Sequence, residues 1–448
     1  MANLSAERRV PDFLRKAALA IMFFLCVFIP IRETLSQYTG NSVKVLPDIF
    51  ILLLFVCYSV CIRFRYRFLL HDWLFIAYLA AEFVSTIFIN HNSLMPYIFQ
   101  VRSIGILYIF YFVVRDLDFG RDELRKVMRL AQVMACLLSL CAIVEIISVK
   151  HLCFSAEFAL TIWYTNYSRA YSLFCNPNTF SLYLDFVIFI SLYCRLCYGY
   201  KTPLPFYAVA MIGTFLSVSR SGMLILLVGC IFLFVWLIIT HRGKLPYLRI
   251  IVSAVLVVAI GAAGYIGARK CGPLYYELFL KDDAVATDKV QNLDNSSIST
   301  RLKKTLSKTE IEKSTTTGRL YTVIKGYEIF RDYPVMGTGF GVFGSASSMN
   351  YRSPIADKYE LPDKYYSDNE YAKVIVEGGI VGTALFAAFL ISILWFFRKD
   401  PVKLFFCVVF GYFGLFANIF EIQAGSGFFW FLLGLEKFPK LSINAGEK

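Results

Sequence analysis

Charge is what this sequence has least of: Asp, Glu, Lys and Arg together make up 17% of its 448 residues, against roughly 25% in an ordinary globular domain. So little polar material cannot cover the core of a water-soluble fold. Histidine is nearly missing as well, with 4 in the chain. Cysteine pairs at metal-ligand spacing do not recur, since Cys194 and Cys197 stand alone at the end of an apolar block, so neither a metal nor a cofactor is expected. Alternation of period two is also lacking, which excludes a membrane β-barrel. The other cysteines mostly lie in or beside apolar blocks and act as small hydrophobes. Cys153, Cys175 and Cys271 fall in loops, and a Cys153–Cys175 disulfide is left open. No small-residue cleavage site follows the first apolar block, near Ala17, which reads as a retained anchor.

What remains is apolar, with 58% hydrophobic and 17% aromatic residues. These residues come in blocks near the roughly 20 that a helix needs to cross about 30 Å of hydrocarbon. Twelve spans are expected, at 17–34, 43–62, 72–89, 97–114, 128–149, 179–198, 204–219, 222–240, 249–267, 369–396, 402–420 and 425–437. The fold class is all-α, a polytopic helical membrane protein. Its sequence divides into helices one to nine (1–266), a large loop (267–367), and helices ten to twelve with a tail (368–448).

Loop charges orient the chain. Arg8, Arg9, Arg15 and Lys16 precede the first span, and every second loop after it is basic: Arg63, Arg65 and Arg67, then Arg115 to Arg129, then Arg195 and Lys201, Arg242 to Arg249, and Arg398 to Lys403. The intervening short loops hold few cations. By the positive-inside rule both termini lie in the cytoplasm and the long loop lies outside. The same rule accounts for the net charge of +13, so no nucleic-acid partner is expected.

Within the long loop, residues 281–316 are polar and read as a tether. Thr317 to Pro334 then places Leu320, Val323, Ile324, Tyr327 and Phe330 at helical spacing, an amphipathic helix lying on the membrane face or on other helices. Thr317 is its expected cap and Pro334 its stop. Gly339-Phe-Gly341-Val-Phe-Gly344 matches a dinucleotide fingerprint by letter, but no strand–turn–helix surrounds it. It reads as a flexible turn letting a helix re-enter the bundle.

Arginines gather on the outer side. Arg220 sits in Ser217-Val-Ser-Arg-Ser-Gly222 between two spans, Arg169 precedes Asn176-Pro-Asn178, Arg319 opens the loop helix, and Arg102 lies within the fourth span. The guanidinium fork suits phosphate oxygens, although an interfacial arginine also snorkels to headgroups. Asp368 and Asn369 enter the tenth span, with Asp368 either a proton acceptor for a hydroxyl or the helix cap. Deeper in that span Glu377 is expected to pack or bond inside the bundle, and Gly378 and Gly382 offer a small face for close approach. Outer aromatics (Trp163, Tyr164, Tyr167, Tyr171, Tyr351, Tyr365, Tyr366) either stack on sugars or form the interfacial belt. Internal repeats and paired broken helices, which a transporter often shows, are not evident.

In their order and sidedness these motifs (SRSG, TGR, GTGFG, a polar pair, then ExGxxG) resemble the bacterial O-antigen ligase and O-antigen polymerase (Wzy-like) superfamily. The resemblance covers Arg169 to Gly382 by motif. It implies a metal-independent, inverting membrane glycosyltransferase on the outer side of the cytoplasmic membrane, moving glycan from an undecaprenyl-diphosphate carrier to an acceptor hydroxyl. It implies that Arg220 and Arg319 hold the diphosphate, with Arg169 a weaker third; a chain-length regulator is a possible protein partner. Where the ligases carry His-Asn, this chain has Asp368-Asn369, which tilts the expectation from ligase toward polymerase. A lipid-linked glycan flippase is the alternative from another class.

Overall fold

The computed structural model describes residues 11–148, 152, 169–174, 176–198, 200–241, 247–279, 315 and 318–435. In chain order its helices are α1 (Asp12–Thr39), α2 (Leu46–Cys61), α3 (Leu70–Phe83), α4 (Leu94–Val114), α5 (Arg121–Ser148), α6 (Pro177–Tyr198) and α7 (Leu204–Leu216). There follow α8 (Arg220–His241), α9 (Tyr247–Phe279), α10 (Arg319–Asp332), α11 (Ala356–Tyr359), α12 (Glu370–Phe397), α13 (Pro401–Phe413) and α14 (Gln423–Gly434). No strand occurs among the described residues. The protein is a polytopic helical membrane protein, with a helix at each of the twelve expected spans. Among the described residues, seven helices are long and apolar enough to cross a membrane, and the stretches Pro177–Leu192, Leu204–Leu216, Arg220–Val235 and Lys403–Phe413 are apolar but shorter. α9 continues to Phe279, well past the expected loop boundary at 267. Thr317, Trp163, Tyr164, Tyr167 and both cysteines of the open disulfide lie outside the described residues.

The chain forms two compact units. Unit 1 comprises Met1–Arg15, Phe50–Leu117 and Thr305–Leu435; unit 2 comprises Lys16–Ile49, Asp118–Lys304 and Glu436–Lys448.

In unit 1, α12 packs along α3, and the small face expected on α12 is what permits it. A Cβ on Gly378 would stand 2.3 Å from Glu82 Oε1 of α3, and one on Gly382 2.4 Å. α12 is broken at Gly379, whose φ of 57° lies in the left-handed region. Its freed backbone groups are taken up by the 334–339 segment. Thr338 and Gly339 donate to the carbonyls of Val376 and Glu377 (both 3.0 Å), while Ile380 and Val381 donate to Pro334 (2.9 Å) and Val335 (3.0 Å). That exchange lets an interrupted helix persist in an apolar setting.

The glycine segment is therefore no flexible turn. It is wedged between the α12 break and a π-helical continuation of α3 (Val84–Ile89). Ser85 donates to the Met336 carbonyl (2.6 Å), the Phe340 amide donates to Thr86 Oγ1 (2.7 Å), and Asn92 donates to the Thr338 carbonyl (2.8 Å). A side chain at Gly337 would lie 2.1 Å from the Glu377 carbonyl oxygen, so the residue cannot carry one. Glu377 itself is fully buried and accepts the Phe343 amide at 2.8 Å, the internal hydrogen bond expected of it.

Unit 2 is centred on α7, which packs against α5, α6 and α9, while α8 packs on α6. Residues 180–191 of α6 are buried throughout, the polar Ser181, Asp185 and Ser191 included.

Candidate functional site

Residues singled out by the sequence fall into both units, and each group has its own geometry. In unit 2 the short link between α7 and α8 carries Val218 in the left-handed region (φ 48°), which turns the chain sharply enough for Arg220 to be the first residue of α8. Arg220 is exposed, whereas Ser217, Ser219 and Ser221 are buried. Arg169 lies against the same link. Its Nε donates to the Ser217 carbonyl at 3.0 Å and its Nη2 to Asn178 Oδ1 at 3.0 Å. Ser219 Oγ donates to that same Asn178 oxygen at 2.9 Å. Arg169, the Asn-Pro-Asn motif and the SRSG motif thus form one polar cluster.

The segment bearing Arg169 is pinned from behind by Glu145, at the end of α5. Its buried carboxylate accepts the amides of Tyr171 (2.9 Å) and Ser172 (2.7 Å). The Ala170 amide also bonds the Leu216 carbonyl at 2.8 Å. Tyr171 is buried and belongs to the core, so it is unavailable to a sugar.

In unit 1, Arg319 is the first residue of α10, after Gly318, which supplies no capping side chain. One turn on, Thr322 Oγ1 donates to the Ser367 carbonyl (3.1 Å) and accepts from the Tyr365 hydroxyl (2.7 Å). The start of α10 is thereby fixed beside Asp368. Of the two placements expected for the helix, its packing leaves the apolar stripe off the protein. Thr322, Gly326 and Ile329 face inward, with Gly326 allowing contact with Val376 and Phe343, while the apolar stripe Leu320, Val323, Ile324 and Tyr327 is exposed, Tyr327 at 67%. Small residues win the protein-facing side because they permit the closest approach.

Asp368 is half-buried with φ at 49°, a conformation that Asp tolerates better than most residues. It is not the cap of α12. That role falls to Asn369, whose side-chain oxygen accepts the Ala372 amide at 3.0 Å. Tyr365 is buried, its ring 5.2 Å from that of Phe343, and burial pushes its phenol well above the usual range; Tyr351 is exposed. Arg102 is half-buried on α4, 5.5 Å from the centroid of the Phe99 ring.

Beneath that corner lies a charged cluster that the sequence reading missed. Lys373 Nζ sits between Glu370 Oε1 (2.7 Å) and Glu421 Oε1 (2.5 Å). Gln100 donates to Glu421 Oε1 (2.5 Å), and the Ala346 amide donates to Glu421 Oε2 (2.7 Å). All three charged residues are buried. The signal was present as Glu370, Lys373 and Glu377 at helical spacing in an apolar helix, but Glu421 and Gln100 are far away in sequence. The described residues contain no group of ligands able to hold a metal ion.

Residues 205–387 match a family model described as O-antigen ligase. The likeness to that family rests on this stretch, which is under half of the chain. The match spans α7 to the middle of α12, so it includes Arg220, the start of α10, the glycine wedge and the Asp368–Asn369 pair. Arg169 and Asn178 lie upstream of the matched stretch yet bond directly into its Ser217 and Ser219. No curated protein matches the chain. A domain of this kind implies a membrane glycosyltransferase-like enzyme.

Proposed function

We propose that this O-antigen ligase-family protein is a polysaccharide polymerase, which transfers glycan from an undecaprenyl-diphosphate carrier to a hydroxyl of a lipid-linked repeat unit on the outer side of the bacterial cytoplasmic membrane. The observation that carries the reading is the Arg169–Asn178–Ser219 cluster beside exposed Arg220, which gathers guanidinium groups where arginine is otherwise scarce. In the reaction the acceptor oxygen attacks the anomeric carbon from the face opposite the diphosphate. The new C–O bond forms as the bond to the diphosphate oxygen breaks, and the electron pair leaves with the lipid diphosphate. The family resemblance assigns Arg220 and Arg319 to the phosphate oxygens, where negative charge grows in the transition state. The hydroxyl proton passes to the Asp368 carboxylate and from there to water. Arg169 and Asn369 contribute further polar contacts, and Arg102 is a further candidate. The exposed apolar stripe of α10 suits a helix lying on a lipid headgroup region, which supports a role for Arg319 toward a lipid diphosphate.

Ligase action on lipid A core or protein is the second reading, favoured by the description of the matching family. Polymerase is preferred because Asp368-Asn369 stands where the resembling ligases carry His-Asn. Arg220→Ala and Arg319→Ala are expected to abolish chain extension while carrier-linked repeat units accumulate outside. Accumulation on the cytoplasmic face instead would make the protein a flippase. Long glycan still attached to the lipid diphosphate identifies a polymerase, and transfer to lipid A core or protein identifies a ligase.

A further inference from the structure

Unit 2 holds a second concentration of cations, which the proposed chemistry does not use. A pocket of about 280 Å³ opens between the first half of α5, the last turns of α6 and the segment entering α7. Arg125, Arg129 and Lys201 line it. Neutral donors stand among them: Gln132 Nε2 bonds Ser191 Oγ at 2.9 Å and reaches Thr202 Oγ1 at 3.4 Å. Met128 and Cys194 give it a buried apolar floor. The Arg125 guanidinium lies 5.2 Å from the Tyr200 ring centroid, which holds the ring at the rim.

Anionic charge does not balance these groups. Arg125 has an exposed partner, Asp122, at 3.3 Å. Among the described residues no carboxylate forms an ion pair with Arg129 or Lys201. The positive-inside rule explains why cations are frequent at this end of the helices. It does not explain their convergence on a cavity with aligned neutral donors and an apolar floor. Position adds to the case. Cys194 lies 16 residues along α6 from Asn178, about 24 Å at 1.5 Å per residue. The pocket therefore sits at the opposite end of α6 from the Arg169 cluster.

We propose that this pocket binds a phosphate-bearing ligand, supplied as the headgroup of an anionic phospholipid or as free phosphate. Arg129 presents its fork to two phosphate oxygens, Lys201 and Arg125 neutralise the remaining charge, and Met128 and Cys194 meet the apolar part of a lipid.

The test uses the full chain in phosphatidylcholine nanodiscs with and without phosphatidylglycerol, counting retained lipids by native mass spectrometry. A second arm titrates inorganic phosphate into the phosphatidylcholine discs by calorimetry. Both replaced side chains are exposed, so Arg129→Gln/Lys201→Gln is expected to fold; Arg129→Lys, which keeps the charge but not the fork, should lose less. Arg249→Gln, an exposed cation of α9 outside the pocket, controls for surface charge. The expected result is at least about a tenfold loss of phosphatidylglycerol retention in the double variant, equivalent to about 1.4 kcal/mol, with Arg249→Gln unchanged. Saturable phosphate binding lost in the double variant, without lipid selectivity, supports the site and names free phosphate as its source. Equal retention in parent and double variant, an equal loss in Arg249→Gln, or no binding in either arm overturns the proposal.

Discussion

Arg169 and Ser219 share one acceptor, Asn178 Oδ1, at 3.0 and 2.9 Å. A single amide oxygen thus couples Arg169 to the link that sets Arg220 at the head of α8. Asn178→Ala removes that acceptor. Hydrogen bonds to charged groups contribute about 1.5–3 kcal/mol, and Arg169 is half-buried, so a loss toward the lower end is expected in thermal unfolding, together with slowed glycan extension. Asn178→Asp keeps an acceptor for both donors and should retain more activity than the alanine variant. Equal activity in the two variants would remove Asn178 from the cluster's function.

Asp368 and Asn369 are adjacent but separable. Asn369→Ala deletes a capping bond to the Ala372 amide and should cost about 1 kcal/mol of stability. Asp368→Asn leaves that cap untouched, so its melting temperature should stay near that of the parent while chain extension falls steeply. Near-normal extension in Asp368→Asn would sink the proton-acceptor role.

Gly378 and Gly382 exist to admit the Glu82 carboxylate, whose Oε1 would lie 2.3 and 2.4 Å from an added Cβ. Gly378→Ala should destabilise by about 1–3 kcal/mol, the usual cost of overpacking. In a double-mutant cycle with Glu82→Ala the combined loss should be smaller than the sum, because the clashing oxygen is gone. Additive losses would mean that the conflict lies elsewhere.

Lys373 stands between two buried carboxylates, Glu370 and Glu421. Lys373→Met leaves both without their cation, and breaking a buried pair in this way costs about 3–5 kcal/mol. Adding Glu370→Gln and Glu421→Gln should restore part of the loss. Detergent-solubilised protein followed by thermal unfolding reads both outcomes, and a single variant as stable as the parent would contradict them.

Asp332 anchors the end of α10 to α11. The Lys358 ammonium (2.7 Å) and the Tyr359 hydroxyl (2.6 Å) both donate to its Oδ2 and hold its carboxyl below the usual range. A depressed carboxyl contributes stability that is present above its unfolded value, about 3.9, and that disappears as pH falls through the lowered folded value. Amide exchange around Asp332 should therefore be insensitive to protonation of this group between pH 5 and 8 and rise only below about pH 4. The group is exposed, so salt should weaken the effect.

The helical class and the rough placement of the helices were legible in the sequence, because a helix in hydrocarbon must announce itself as an apolar block of fixed length. So were the motifs that carry the family resemblance, and the small face of α12, which follows from the spacing of Gly378 and Gly382 alone. Only the tertiary structure decided how those pieces are used. Hydrophobic periodicity marks the apolar stripe of α10 but cannot tell a protein neighbour from another environment; close packing chose Thr322, Gly326 and Ile329 instead. Asp is as good a cap as Asn on paper, yet the left-handed backbone at Asp368 hands that role to Asn369. The glycine segment looked free because no local pattern shows the backbone partners that wedge it between α3 and α12. Likewise the Lys373 cluster and the Arg169–Asn178–Ser219 cluster join residues distant along the chain, and such contacts are made by folding rather than written into any one stretch of sequence.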